Sequence, residues 1–294
     1  MPSSHKNLGV ALGLAGMTCF ASTIPVTRLA VRWLDPFFLT MARATIAGFV
    51  AIAVLLVMRR RPPPRELWPK FAVLAFCVIF AYPVLLALAL RTVPASHGGV
   101  VLGIIPIAIA AMAALLGYER PSAGFWLVGA AGAAIVIGFV LRHGEAGAIG
   151  TGDVILLVAV VAGALAYTLS GHLSTGMPGW EVISWQLAIF LPVTLAATIW
   201  LWPAHIDAIP PPAWAALGWV AFISQYFSFV LYNAAMAMGG VARIGQLMLL
   251  QPFVIVALSV PINGERLDVE TVLFAAAVVA VVVIGQRMRV RRRT

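Results

Sequence analysis

An all-α membrane protein of ten transmembrane helices, arranged as two inverted five-helix repeats, is the fold this sequence predicts. Three observations predict it. Hydrophobic residues make up 62% of the 294 and charged residues only 10%, with a mean hydropathy of +1.02. Soluble chains run at about 45–50% apolar and about 25% charged. Ten apolar runs of spanning length follow one another along the chain, and the second five repeat landmarks of the first five at a constant offset.

The runs lie at roughly 8–28, 36–58, 69–90, 94–117, 122–141, 152–173, 181–202, 213–237, 241–262 and 269–286. Each holds roughly 17–25 residues, enough to cross about 30 Å of hydrocarbon at about 1.5 Å per residue. The first begins at Leu8, after His5 and Lys6, and continues to Val26. A cleaved signal peptide is the competing reading, disfavoured because the run outlasts a short apolar signal core. Breakers and charges separate the others. Arg59-Arg60-Arg61-Pro62-Pro63-Pro64-Arg65 divides the second from the third, Glu119-Arg120-Pro121 the fourth from the fifth, and Pro210-Pro211-Pro212 precedes the eighth. The boundary between eighth and ninth is the weakest, with only Gly239-Gly240 to mark it. Cys19 and Cys77 both sit inside apolar runs and read as buried thiols.

The formal charge is +9. The bases cluster at the ends of apolar runs, which points to lipid headgroups and topology and away from nucleic acid. With the N-terminus in the cytoplasm, the inner loops and tails hold Lys6, Arg59, Arg60, Arg61, Arg65, Lys70, Arg120, Arg287, Arg289, Arg291, Arg292 and Arg293. The outer loops hold only Arg28, Arg32, Arg91, Arg142 and Arg266, while Arg43 and Arg243 fall within spans. This bias predicts a multi-pass protein of the plasma membrane (the inner membrane of a prokaryote) with both termini cytoplasmic.

The repeat is the most informative feature. Ile104-Ile105-Pro106 followed by Gly117-Tyr118-Glu119-Arg120 recurs as Leu250-Gln251-Pro252 followed by Asn263-Gly264-Glu265-Arg266. Pro106 and Pro252, Glu119 and Glu265, and Gly99 and Gly245 are each 146 apart. The chain therefore divides into 1–146 and 147–294, five spans each. An odd number of spans makes the second unit enter from the opposite side, an architecture many secondary transporters share.

These paired Pro and Glu-Arg segments resemble the drug/metabolite transporter superfamily in its ten-helix EamA-type branch. Ala89-Leu90-Arg91-Thr92-Val93-Pro94-Ala95-Ser96, leading into the fourth span, and the basic Arg43 in the second carry the same resemblance. It covers nearly the whole chain. It implies a central cavity lined by helices 1, 3, 4, 6, 8 and 9, with alternating access between the halves. Some relatives export amino acids, aromatic ones included. The first span departs from the commonest pattern, because Cys19-Phe20-Ala21-Ser22-Thr23-Ile24-Pro25 lacks the tryptophan many relatives have there.

All ten acidic residues fall in loops or at span ends. Coupled transporters place carboxylates in the ion pathway, so their positions here favour facilitated transport. His97 remains the candidate for proton coupling. The sequence shows no metalloprotease helix motif, no P-loop and no membrane-depth carboxylate pair, which argues against an enzyme, a metal or a cofactor. It shows no charged filter ring of a channel.

The substrate-binding candidates are Ser22 on helix 1, Tyr82 on helix 3, Tyr167 on helix 6, Gln225, Ser228 and Tyr232 on helix 8, and Gln246 on helix 9. Gln225, Ser228 and Tyr232 share one helix face. Each residue alone could serve interhelical hydrogen bonding; as a converging set on an apolar wall they describe a small-molecule pocket. His97 and Arg243, also 146 apart, either flank the two cavity mouths and draw in anions or snorkel to headgroups. Arg43, about 12 Å into helix 2, is either an anion ligand or a structural arginine. The structural role is favoured because the resemblance leaves helix 2 off the cavity. Pro106 and Pro252 are hinge candidates. Glu119 and Glu265 are expected to cap or brace the turns into helices 5 and 10. The run Gly129-Ala130-Ala131-Gly132-Ala133-Ala134 suits close helix packing, in a monomer or a homodimer. The expected activity is export of amino acids or compact zwitterions, with a broader exporter of drugs or anionic metabolites, facilitative or proton-coupled, as the alternative.

Overall fold

A bilayer offers no water to backbone N–H and C=O groups, so apolar runs fold as helices and the residues between them decide where each stops. The computed structural model describes residues 3–117, 119–143, 149–173, 176–239, 247, 250–286 and 290–292. α1 spans Ser3–Ala30. α2 (Pro36–Val57) begins where the Asp35 carboxylate accepts hydrogen bonds from the N–H groups of Phe37 at 2.9 Å and Phe38 at 3.1 Å, with Pro36 in the first turn. It ends at the arginine-proline stretch. α3 (Arg65–Ala89) follows, then α4 (Ala95–Leu102) and α5 (Ile105–Leu115), a broken pair bent by 46°. α6 (Ala123–His143), α7 (Thr151–Leu173) and α8 (Gly179–Trp200) are continuous. α9 runs through Pro211–Trp219, Val220–Phe227 and Ser228–Gly239. α10 (Gln251–Asn263) and α11 (Val269–Gln286) complete the helices.

Seven of the described helices are long and apolar enough to cross a membrane, or eight if the bent α4–α5 pair is one span, and α10 and α11 are shorter apolar helices. The fold is multi-span and all-α, with one small correction. Glu119–Pro121 (β1) and Val290–Arg292 (β2) pair antiparallel, with Arg120 opposite Arg291. Pro121 cannot donate to a helix turn, so these short segments outside the spans satisfy their backbones against each other. Two glycines turn the chain out of helices in the left-handed region. Gly117 has φ 75° after α5 and Gly264 has φ 69° after α10, where its N–H donates to Val260 O at 2.9 Å.

Two helices depart from α geometry. Phe76–Ala81 within α3 and Val220–Phe227 within α9 are π-helical. Such widened turns are rare and gather at functional sites. An offset of 146 carries Phe76 to Phe222, inside the second stretch.

The helices pack mainly across the two halves of the sequence. α1 lies along α9, α2 along α8, α3 against α7, α4 against α10, and α6 against α11. Small residues permit the approach. A Cβ on Gly99 would meet Ile255 Cγ2 at 2.6 Å, and one on Gly132 would meet Val281 Cγ1 at 3.0 Å. Phe49, Leu127, Val193 and Leu273 are exposed on the outside, as lipid-facing residues should be, and Trp33, Trp68 and Trp200 are exposed near helix ends.

Candidate functional site

A cavity of about 750 Å³, its open side included, lies among α1, α2, α3, α7, α8, α9 and α10. α1 contributes Phe20, Thr23 and Ile24, and α3 contributes Val78 and Tyr82. α7 presents Gly163, Ala166, Tyr167 and Ser170; α9 presents Ser224, Gln225 and Phe229. Arg43 comes from α2, Gln186 from α8 and Gln251 from α10. Both π-helical stretches reach this space: Val78 lies in one and Ser224 and Gln225 in the other, while Tyr82 follows the first directly. Gly163 makes room for Tyr82, because a Cβ there would meet the phenol ring at 3.0 Å.

Three polar features define the wall. The buried Arg43 donates from Nη2 to Gln225 Oε1. Three ion pairs join described residues, namely Arg28–Glu265, Arg60–Glu181 and Arg142–Glu270, and the His97 ring meets the Asp153 carboxylate; Arg43 is in none of these contacts. The acceptor that Arg43 holds is thus neutral. Gln186 is 2% exposed, and its Oε1 has no hydrogen-bond partner among the described residues. Thr23 and Ser224 share a hydroxyl–hydroxyl bond between α1 and α9.

A second polar cluster sits where α1 ends. The Glu265 carboxylate accepts from Ala95 N at 2.7 Å, Ser96 N at 3.0 Å and Ser96 Oγ at 2.6 Å. It caps α4, whereas the sequence expectation had it capping or bracing the turn into the tenth helix. Free N–H groups at a helix start attract a carboxylate wherever the fold brings one near. Arg28 Nε lies 3.4 Å from Glu265 Oε1, and its Nη1 donates to Leu90 O at 2.8 Å and to Val93 O. His97 Nε2 lies 2.7 Å from Asp153 Oδ1, and Asp153 Oδ2 accepts from Gly150 N at 2.9 Å. Asp153 therefore gives the His97 ring, in the first turn of α4, a carboxylate partner. Arg32 donates to Asn263 O and Asn263 to Pro25 O, each at 3.1 Å, so α1 is tied to the end of α10 as well.

Of the sequence-stated candidates, Tyr82, Tyr167 and Gln225 stand on the cavity wall. Ser22 stands off it, donating to Cys19 O at 2.7 Å and accepting from Trp219 Nε1 at 2.8 Å. Ser228 is fully buried and donates to Ser224 O at 2.6 Å. Tyr232 meets Phe20 edge-on, ring centroids 5.9 Å apart. His97 stands with Asp153. Arg243 and Gln246 lie outside the described residues, as do the Pro106 and Glu119 side chains. Pro106 and Pro252 occupy the first turns of α5 and α10, so each stands at a helix start and neither interrupts the interior of its helix. Sequence reasoning missed Gln186 altogether and assigned Arg43 away from the cavity. The described wall draws on the second and seventh spans and on no residue of the fourth, which differs from the set the resemblance implied.

Comparison with known proteins adds three findings. The profile of the EamA-like transporter family matches residues 7–141 and again 150–285. The uncharacterized transporter YdeK of Bacillus subtilis (strain 168) is 38% identical over 275 residues, covering 94% of this chain and 96% of that protein. A protein crystal structure superposes with a TM-score of 0.62 at 21% identity, covering 94% of this chain and 98% of the other; this likeness shows the fold alone.

Proposed function

The chain belongs to the EamA-like transporter family, within the drug/metabolite transporter superfamily, and as a multi-pass secondary transporter, not an enzyme, it is one that we propose moves amino acids, apolar and aromatic ones included, by alternating access. The observation that carries the proposal is the mixed wall of the cavity. Phe20, Ile24, Val78 and Phe229 can receive a side chain, while Arg43, Tyr82, Tyr167, Gln186 and Gln225 can receive a polar head. No carboxylate stands on this wall among the described residues, which favours a facilitative carrier over a carboxylate relay.

In this reading ten helices form two inverted repeats, 1–146 and 147–294. Two features support it. The family profile matches once in each half. The packing pairs also exchange correctly when halves are swapped: first-with-eighth becomes sixth-with-third, while second-with-seventh, fourth-with-ninth and fifth-with-tenth map onto themselves. Pro106 and Pro252 act as hinges at the starts of α5 and α10. The Lys and Arg bias favours both termini in the cytoplasm, and in a facilitative carrier the substrate gradient sets the direction, so a solute accumulated inside the cell is exported.

The test is uptake of a labelled amino-acid panel into proteoliposomes, with and without a pH gradient. Saturable uptake without the gradient is the expected result. Uptake only with it would replace the facilitative mechanism by a proton-coupled one. Absence of uptake in both, from folded protein, would move the substrate class to drugs or other anionic metabolites.

A further inference from the structure

We propose that the cavity is a zwitterion site in which Arg43 takes the substrate carboxylate, displacing Gln225, while Gln186 Oε1 takes the ammonium. The inference rests on the amino-acid reading and names its recognition chemistry. A buried charge is costly unless paired. Gln225 orients the guanidinium without neutralising it. The acids that could have done so are engaged elsewhere: Asp35 caps α2, Asp153 faces His97, Glu181 faces Arg60, and Glu265 caps α4 beside Arg28. A carboxylate binds the planar guanidinium fork through two charge-assisted bonds, which one amide oxygen cannot match. Exchange of Gln225 for a substrate carboxylate is therefore favourable, and reverses when the substrate leaves. Gln186 supplies the complement. It lines the same cavity, is buried, and carries an acceptor that no described donor uses. An ammonium group provides such a donor, and an unpaired buried acceptor gives up free energy until one arrives.

The experiment is thermal unfolding of the purified full chain in detergent, titrated with three compounds that share one ring. These are L-phenylalanine, 3-phenylpropionate (no amine) and 2-phenylethylamine (no carboxylate). L-Phenylalanine is expected to bind tightest and 2-phenylethylamine weakest. Arg43→Gln should weaken both carboxylates by about 10- to 100-fold, the worth of bonds to a charged group. Gln225→Glu is the second variant. It fills the fork permanently with an internal carboxylate, so it should fold normally and show the same loss. Gln186→Leu should erase the advantage of L-phenylalanine over 3-phenylpropionate. Retention of 3-phenylpropionate affinity in Gln225→Glu to within about twofold would overturn the proposal. If 3-phenylpropionate binds and L-phenylalanine does not, the Arg43 anchor stands and the amino-acid reading falls. If L-phenylalanine and 2-phenylethylamine bind equally, whatever stands at 225, the anchor falls and the reading survives. If none of the three shifts unfolding, both fall.

Discussion

Two regions of this molecule bury polar and charged groups, and they treat them in opposite ways. Where α1 ends, acid meets base throughout: Glu265 with Arg28, Asp153 with His97, and both carboxylates also accept backbone N–H groups. In the cavity, one guanidinium faces an amide, and one amide oxygen faces nothing among the described residues. In the first arrangement each carboxylate has a basic partner, although Thr27 Oγ1 and Asn263 Oδ1 nearby have no hydrogen-bond partner among the described residues; its bonds join α1, α4, α7 and the turn after α10, which come from both halves of the chain. The second leaves its charge without a counter-charge among the described residues, and that is what a binding site for an opposite charge needs before its ligand arrives. Burial alone does not separate a structural charge from a functional one; the state of its partner does.

The comparison can be broken most forcefully at Asp153. Removing one member of a buried pair typically costs about 3–5 kcal/mol, because the other is left unpaired. Asp153→Asn is expected to lower the unfolding temperature sharply, and a His97→Phe/Asp153→Leu double variant should recover much of the loss. A single variant as stable as wild type would mean that the pair is not structural. Next comes Glu265→Gln, where an amide oxygen still caps α4 but without charge. A loss of about 1–2 kcal/mol in thermal unfolding is expected. Last, and of contrasting sign, is Arg43→Met. Replacing an unneutralised buried cation by an apolar side chain of similar length should leave stability within about 1 kcal/mol of wild type, or raise it. Strong destabilisation by Arg43→Met would place Arg43 in the structural class and erase the contrast.

Hydropathy alone located the long helices, and the paired Pro and Glu-Arg segments pointed to the family, because both signals are local or repeat at fixed spacing. Tyr82, Tyr167 and Gln225 were legible as polar residues on helices named by the resemblance. Arg43 shows the limit. Its distance from Asp35 gives depth along the helix, but lipid and protein interior are equally apolar, so no stripe reveals which way it faces. Gln186 hides for the same reason. The His97–Asp153 contact joins residues 56 apart that carry no shared motif, and Glu265 reaches a helix start 169 and 170 positions away. Contacts of that range come from tertiary packing. The β1–β2 ladder and the π-helical stretches have no sequence signature that composition or periodicity exposes.

The π-helical stretches of α3 and α9 have a mechanical consequence. A helix in lipid cannot simply open to bend, because each freed backbone group would be stranded without water. A π turn holds one residue more than an α turn while keeping its hydrogen bonds, so it acts as a slip joint. Slack can pass along it, and one part of the helix can twist against the other with its bonds still made. Gln225 lies within one such joint and Tyr82 at the edge of the other. Torsion in either helix is thereby geared to the side chains on the cavity wall, and a solute that grips those side chains has leverage on the helices themselves.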